Sequence, residues 1–504
     1  MQSSAETPAV TVIARAVALA LCLGAGSVSA QQSGLTVLPR FAASQSWSDN
    51  IGLRVSARDS SLITTLSPGV SLNSNAGRIK GGLNYSLSEI LYTGTNRSNQ
   101  LQHALAASGG AEVLENTLFV DANASISQQA LSAFGPQTID PLPYNPNNSQ
   151  LSSLTISPSL RGRLNGLASY ELRANAGATE VKGSTLGNST SSGSSLGING
   201  LNTGLLGWNA SVSTQQNQAR AGVENRSSQM RLGLSYRPDP ELQLGLNAGQ
   251  ERSNYLGTGQ TRSTSGASAN WTPTPRTALA AVWQGHVYGN SHTLSFQHRM
   301  ARSSWRFSDS QGVSTGSAVA ATGLQTNYDL FYLQFASLEP DPVARDVLVR
   351  SYLQGLGLSP NATATAGFLT AGPTSQRSQQ FAFSLEGLRW TATAMLSQSR
   401  TSQLGNSIQV AGDLSKSSSV LQRGMSLNLA YRLTPISSVN ISLLQQRSRG
   451  DLASQSTSVR SYSANLSSRF GRLTSVSAGV RHSSAEGTAP YRENAILANL
   501  VQQF

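Results

Sequence analysis

Cysteine is almost absent from this sequence. Its single cysteine, Cys22, lies within the first 30 residues, and its five histidines are scattered. His292 and His298 lie too far apart along a strand for their rings to share one ion. A disulfide framework and a cysteine zinc site are therefore excluded for the rest of the chain, and we expect no metal and no cofactor.

Long hydrophobic runs are also missing. The run from Ala16 to Ala25 is well short of the roughly 20 residues that a transmembrane helix needs. Arg15 precedes it, and Val28-Ser29-Ala30 has the small residues of a cleavage site. We therefore predict a secretory signal peptide over residues 1–30, with a short membrane anchor as the alternative, and a mature chain over residues 31–504.

Charged side chains are few, and lysine is nearly missing. Only 12% of residues are charged, and the net charge is +12. The only lysines are Lys80, Lys182 and Lys416, so arginine carries nearly all of the positive charge. There is no basic cluster with interleaved aromatic residues, so we expect no nucleic-acid partner. Nucleophile elbows and phosphate-binding glycine loops are absent as well, and the chain is not predicted to be an enzyme.

Alternation of apolar and polar residues fills the rest of the sequence. From Met230 to Tyr236, the residues Met, Leu, Leu and Tyr share one face of a strand, and Arg, Gly and Ser share the other. A Pro-containing turn follows, and Leu242 starts the pattern again. Strands with an apolar outer face and a polar inner face are typical of transmembrane β-barrels. We predict an all-β fold, a transmembrane antiparallel up-and-down β-barrel of about 22 strands in the lipid of a Gram-negative outer membrane.

Connections between the expected strands alternate in length. Glu115-Asn116 and Asn165-Gly166 are tight turns, whereas Ser132 to Gln150 is a long loop rich in Pro and Asn. Bacterial barrels have short turns on the periplasmic side and long loops outside. An even number of strands then places both termini in the periplasm.

One segment, residues 313–378, breaks the alternation. Asp341-Pro342 is a good helix start, helical spacing of apolar residues follows it, and Gly355 can end the helix. Strand parity places this insertion on the long-loop side. It would either fold into the lumen as a plug or gate, or form a surface loop with a small helix.

Cationic residues on the polar faces are the main candidates for a functional site. By alternation, nine of them point into the lumen: Arg78, Lys80, Arg161, Arg163, Arg173, Arg231, Arg432, Arg469 and Arg481. Acids on the same faces are Asp121, Glu171, Glu241 and Glu251. Either these groups pair across strands and merely fill a wet interior, or the cations form a pore surface that concentrates anionic solutes.

Several segments resemble the PEP-CTERM system-associated outer-membrane protein family. They are Leu66 to Leu72, Asn84 to Leu87 with Leu91-Tyr92, Glu115 to Gln129, and Tyr491 to Phe504. The resemblance implies an association with exopolysaccharide production and protein sorting in Gram-negative bacteria, but no functional residue can be carried over from it. An anionic exopolysaccharide is the partner that it suggests.

The C-terminus resembles the general assembly signal of outer-membrane barrels. Phe504 ends the chain, and Leu500, Ala498 and Ile496 share its face. Gln502 departs from the pattern, because an apolar or aromatic residue is usual there. We expect the barrel-assembly machinery to be a partner that reads Phe504.

Three functions are consistent with these observations. The first is export or surface organisation of exopolysaccharide, with a cationic pore. The second is a structural or adhesive surface protein with a blocked lumen, and the third is a general diffusion porin. A siderophore-type receptor is disfavoured, because strands begin almost directly after the signal and leave no room for an N-terminal plug domain.

Overall fold

The computed structural model of the protein describes most of the chain after residue 33. It covers residues 34–504 except 96, 138–144, 184–187, 201–203, 220–223, 315–317, 320–325, 338–344, 347–348, 351, 354–363, 366, 371, 405–411 and 472–473. The predicted signal peptide therefore lies outside the described residues. No helix within the described part is long and apolar enough to cross a membrane.

A single antiparallel sheet of 22 strands closes on itself, because its last strand pairs with its first. The first half comprises β1 (Leu35–Ser48), β2 (Ser61–Ala76), β3 (Ile79–Thr93), β4 (Gln100–Leu114), β5 (Leu118–Ala130), β6 (Asn148–Leu164), β7 (Ala168–Val181), β8 (Ser189–Gly200), β9 (Leu206–Ala219), β10 (Glu224–Asp239) and β11 (Leu242–Ser253). The second half comprises β12 (Gln260–Thr274), β13 (Thr277–His286), β14 (Gly289–Arg299), β15 (Ser303–Ser314), β18 (Thr374–Glu386), β19 (Trp390–Gln403), β20 (Ser419–Arg432), β21 (Ser437–Arg449), β22 (Ser456–Phe470), β23 (Thr474–Gly487) and β24 (Tyr491–Gln503). Each strand pairs with its sequence neighbours in the barrel, so the prediction of a 22-stranded antiparallel barrel is confirmed.

The two ends of the barrel differ in their connections. At one end the strands are joined by short turns, such as the one after Leu164, where Asn165 and Gly166 have φ angles of 39° and 74°. A turn whose two central residues both have positive φ angles matches the right-handed twist of the two strands that it joins, as the Asn-Gly sequence predicts. The other end carries the three longest connections, residues 131–147, 315–373 and 404–418.

Alternation along each strand gives the wall an apolar outside and a polar inside. In β10, Met230, Leu232 and Leu234 are exposed, Leu234 at 67%, whereas Arg231 and Ser235 are half-buried. Trp208, Trp271, Trp390 and Tyr431 are exposed on the same outer face near the short-turn end. An exterior covered with exposed Leu, Ile, Val and Trp side chains matches a surface that contacts hydrocarbon.

The insertion is shorter than the sequence indicated. We expected it over residues 313–378, but β15 continues to Ser314 and β18 begins at Thr374. The paired segment Thr374 to Ser378 is polar on both faces, because it lies beyond the apolar band, and alternation therefore could not reveal it. The insertion contains α1 (Asn327–Gln334), a 3-10 turn (Phe335–Ser337), and a separate small sheet of β16 (318–319) and β17 (Leu369–Thr370).

The helix expected to begin at Asp341 has its start outside the described residues. Helical backbone is described at Arg345 and Asp346 and again at Tyr352 and Leu353. Helix α1, which precedes it, was not expected.

Candidate functional site

A network of charges lies on the inner face of β5, β6 and β7. Arg173 is 2.9 Å from Glu171 and 3.2 Å from Asp121 through its two terminal nitrogens. Arg161 is 3.5 Å from the same Glu171, and its guanidinium lies 4.8 Å from the centre of the Phe119 ring. Two of the predicted lumen cations are therefore paired with two of the predicted acids, which neutralises this part of the wall.

Three more of the predicted cations have partners on the inner face. Arg481 is buried, with 3% of its side chain exposed, and lies 3.2 Å from Glu493. Arg432 lies 3.4 Å from Glu386. Arg231 donates a 2.9 Å hydrogen bond to Gln229. These side chains strengthen the wall and cannot all act as free cations.

The remaining predicted cations lie at the short-turn end. Arg78 lies in the turn between β2 and β3 and not in a strand, where it is 61% exposed and 3.6 Å from Glu115. Lys80, Arg163 and Arg469 are exposed near the ends of β3, β6 and β22, on the face opposite the exposed Ile79, Leu164 and Phe470.

Two further cations that we had not predicted share this position. Arg237 follows the outward Tyr236 at the end of β10, and Arg299 ends β14. The sequence contained the necessary signal. Tyr236 and Phe296 are outward residues, and Arg237 and Arg299 lie an odd number of residues after them, which assigns both arginines to the inner face. Six of the inward cations at the short-turn end form what we call the rim cations: Lys80, Arg163, Arg237, Arg299, Arg432 and Arg469.

The insertion begins with a helix whose start is set by a capping box. The Thr326 hydroxyl accepts a hydrogen bond from the Asp329 backbone N–H at 3.2 Å, and the Thr326 backbone N–H donates to the Asp329 carboxylate at 2.9 Å. These bonds satisfy donors that a helix start otherwise leaves free. The helix therefore has a defined start.

Helix α1 packs against the inner wall of the barrel. Leu330 forms an apolar cluster with Ala364 of the insertion and with Ala382 and Met395 of β18 and β19. These two wall residues alternate with outward side chains, such as Leu396, that are exposed. The described part of the insertion therefore lies inside the lumen, as in the plug alternative.

A second apolar cluster joins the two helical parts of the insertion to β20. Phe331, Phe335, Val349 and Leu353 form one buried cluster with Ala430 of the wall. Each of these side chains is buried. The described parts of the insertion thus form a plug with its own small core.

Polar contacts fix the plug at the short-turn end of the lumen. The Tyr352 hydroxyl donates a 3.0 Å hydrogen bond to Glu386, and Gln334 donates to the same carboxylate at 3.0 Å. Burial raises the pKa of the Tyr352 hydroxyl to about 12, so this donor keeps its proton. Arg432 completes the network, with its guanidinium 5.2 Å from the centre of the Tyr352 ring. Glu386 therefore joins the plug to one of the rim cations.

The three longest loops meet at the other end of the barrel. Ala133 and Phe134 of the first loop, Phe368 of the insertion and Leu414 of the third form one buried cluster with Val420. Asp413 accepts hydrogen bonds from the Ser132 hydroxyl at 2.7 Å and the Ala133 backbone N–H at 2.6 Å. The mouth on this side is therefore covered by packed loops.

Histidine and acidic residues do not assemble into a metal site in the described part of the chain, which contains no group of three or more candidate ligands. Of the other two predicted acids, Glu251 is buried and lies 2.7 Å from His286, and Glu241 is in the turn before β11. Glu251 thus pairs with a histidine and not with a lumen arginine.

Comparisons with known proteins give the fold a context. No protein-family model matches the sequence, and no curated protein is similar to it. Among solved structures, the chain is similar to the FrpB iron transporter from Neisseria meningitidis (F3-3 variant), with 10% identity over 93% of this chain and 81% of that chain and a TM-score of 0.46. It is also similar to the siderophore receptor PirA from Acinetobacter baumannii, with 10% identity, 93% and 80% coverage and a TM-score of 0.45. At TM-scores below 0.5, these likenesses carry no argument about what this chain binds.

The chain is an outer-membrane-type β-barrel. Its closed sheet leaves no unpaired edge, and its exposed apolar exterior needs hydrocarbon contact. This architecture places the protein in the outer membrane, as predicted.

Proposed function

We propose that this barrel spans the outer membrane as a conduit for an anionic exopolysaccharide and that its own insertion closes it at rest. In this orientation the short turns and both chain termini lie in the periplasm, and the long loops lie outside the cell. The polysaccharide part of the proposal rests on the resemblance to the PEP-CTERM system-associated family. The rim cations support the anionic part.

The observation that carries the proposal is the ring of rim cations. They lie on β3, β6, β10, β14, β20 and β22, so no more than five strands separate any one from the next around the barrel. Among the described residues, Arg432 is the only one of the six that forms an ion pair. Like charges around the mouth of a low-dielectric cavity concentrate ions of the opposite sign there.

The plug supplies the gate of the proposed conduit. Arg299 donates to the Leu333 carbonyl at 3.3 Å, and Arg432 lies against Tyr352 and Glu386. Two of the rim cations are therefore also contacts of the plug. A polyanion that binds the rim would compete for these two arginines and favour release of the plug.

A locked plug tests the gate. Ser384 of the wall donates a 2.5 Å hydrogen bond to Gln334 of α1, so Gln334→Cys with Ser384→Cys puts two thiols near each other. Cys22 is the only native cysteine, which makes a mature chain with this pair free of competing thiols. In planar bilayers, joining the pair with a short bifunctional thiol reagent should suppress openings, a reductant should restore them, and each single-cysteine variant should be unaffected.

Polymer block tests the cargo class. Oligouronates added on the short-turn side should interrupt the current of the unlocked barrel, and neutral dextrans of equal length should not. Lys80→Gln, Arg163→Gln and Arg469→Gln together should weaken this block at low salt, because exposed charges act over a Debye length of about 10 Å at 0.1 M. The matched control is Arg58→Gln, Arg226→Gln and Arg252→Gln, which removes the same charge at the other end. Equal block by dextrans would instead favour a diffusion porin.

A structural or adhesive barrel is the second candidate, and two observations favour it. The plug has its own buried core, and the three longest loops are packed together over the mouth. A barrel of this kind would not conduct in any variant, reduced or unlocked. That result would overturn the conduit and leave the long loops as the working surface.

A further inference from the structure

A group of arginines lies on the outer surface of the barrel and takes no part in the proposed conduit. These side chains are exposed and occupy the outward positions of β18 to β24, in the half near the long loops. We call them the arginine belt: Arg377, Arg400, Arg423, Arg447, Arg449, Arg460 and Arg492. A charge on the outside of a membrane barrel calls for an explanation, because the lipid face is otherwise apolar.

The belt begins where the apolar band ends. On β20 the outward residues from the short-turn end are Tyr431, Leu429, Leu427 and Met425, and Arg423 comes next. On β21 the outward residues Val439, Ile441 and Leu443 are followed by Gln445 and then Arg447. The guanidinium groups therefore lie at the boundary between hydrocarbon and water, on the outer-leaflet side in the orientation proposed above.

Strand register keeps the belt at one level. Arg423 is directly opposite Arg447, and Arg460 and Arg492 are both opposite Ser484, one outward position nearer the short turns. Barrel strands are tilted relative to the barrel axis. Residues at the same height along that axis are therefore not all directly opposite one another, and their register shifts gradually from strand to strand. The shift of one outward position between Arg447 and Arg460 is a register shift of this kind. The arginines therefore form a continuous band around this part of the barrel.

The belt has few counter-charges of its own. Arg377 is 2.7 Å from Asp309, and Arg423 donates a 2.8 Å hydrogen bond to Gln398. Among the described residues, Arg377 is the only belt member that forms an ion pair, and the outward acids Glu486 and Asp49 lie near the belt without pairing with it. Arg423 and Arg447 face each other across neighbouring strands, where like charges are unfavourable unless an anion lies between them.

The opposite side of the barrel shows that the belt is not a general property of the surface. Within the described strands β5 to β9, every outward position is free of Lys and Arg. The outward polar residues there include Gln128, Glu180, Thr214 and Gln216. Arg226 of β10 and Arg252 of β11 are outward as well, but most of the outward arginines of the described strands lie on one third of the circumference.

We propose that the arginine belt binds the phosphate groups of a phosphorylated glycolipid in the outer leaflet. Arginine grips phosphate through two parallel hydrogen bonds, and the planar guanidinium is weakly hydrated. Basic groups at the membrane surface attract anionic headgroups while the acyl chains pack on the apolar residues below. The belt would thus fix the barrel to a ring of lipid on one side.

The probe is lipid A, a glycolipid with two phosphates. The full barrel is placed in phosphatidylcholine nanodiscs containing lipid A, and the lipid A that stays bound after detergent extraction is counted by native mass spectrometry. Arg423→Gln, Arg447→Gln and Arg460→Gln together should lower retention at least tenfold. The control, Arg58→Gln, Lys182→Gln and Arg262→Gln, removes the same charge on the long-loop side from two loop positions and one inward strand position, and it should retain lipid A as the unaltered protein does. Heat modifiability of both variants verifies that each barrel has folded.

Two further arms identify the source of the phosphate. Dephosphorylated lipid A should not be retained, and 50-fold excess inorganic phosphate should not displace the intact lipid. Equal loss in the belt and control variants, or equal retention of the dephosphorylated lipid, would overturn the proposal. Tighter binding of a soluble polyanion than of lipid A to the belt would overturn it as well.

Discussion

Truncation of Leu330 should release the plug without unfolding the barrel. Its side chain is fully buried at 0% exposure against Ala382 and Met395 of the wall. Leu→Ala in a packed core costs about 2–5 kcal/mol. The barrel strands keep their own hydrogen-bond ladder, so this loss falls on docking of the plug. At about 1.4 kcal/mol per tenfold, the undocked fraction should rise by a factor of about 30 to several thousand.

Limited proteolysis measures this fraction directly. Trypsin would cut after Arg345 and Arg350, which lie in the docked plug, and the cleavage rate reports the undocked population when opening is fast. Leu333→Ala is the matched control, because Leu333 lies on the same helix but is only half-buried and belongs to neither apolar cluster. Equal cleavage of the two variants, or a loss of heat modifiability in Leu330→Ala alone, would refute the view that the plug docks as a separate unit.

Three further predictions address the wall, assembly and a loop. Leu234→Arg places a charge in the lipid and should destabilise the barrel by about 2–4 kcal/mol in refolding assays near the midplane, whereas Ser235→Arg on the inner face should be tolerated. Deletion of Phe504, which is exposed on the outward face, should lower the amount of heat-modifiable barrel in outer-membrane fractions; unchanged amounts would mean that the residue is not read. Asp451 accepts hydrogen bonds from the Ser418 hydroxyl and backbone N–H, which lower the pKa of its carboxyl. An acid whose pKa is lowered in the folded state stabilises the fold above its unfolded pKa, which is about 3.9 for Asp, and this stabilisation is lost as the pH falls further. Hydrogen exchange at the Ser418 amide, corrected for the intrinsic rate, should therefore speed up only below that pH.

The wall of the barrel was predictable because a period of two directly encodes two faces. The outward set at Met230, Leu232 and Leu234 and the strand number both follow from alternation, which depends on neighbouring residues only. Beyond the apolar band the same rule fails. Thr374 to Ser378 is in β18, but its outward side chains have no need to be apolar there, so its pairing with β15 left no trace in the pattern.

The plug was only partly predictable. Helix α1 has the sequence NYDLFYLQ, whose apolar residues occupy more than one face because the helix contacts both the wall and the second helical part. Helical periodicity is therefore weak, and the capping pair Thr326 and Asp329 was the remaining signal. The loop over the mouth is held by contacts such as the 2.6 Å hydrogen bond from Gln446 to Gln137. Contacts between residues so far apart in the chain leave no local pattern in one sequence.

The arginines fall into two classes that composition alone cannot separate. Arg161, Arg173 and Arg481 lie along the wall and are paired with acids there. Such pairing is expected, because an isolated charge in a low-dielectric wall is costly. In the described residues, most of the rim cations and most of the arginine belt lack such partners and lie at the two boundaries with water. A side chain that can keep its hydration does not need a protein counter-ion, so it remains available to an external anion. The charges that favour ligand binding are therefore those at the edges of the membrane, and the net charge of +12 is a poor guide to the lumen.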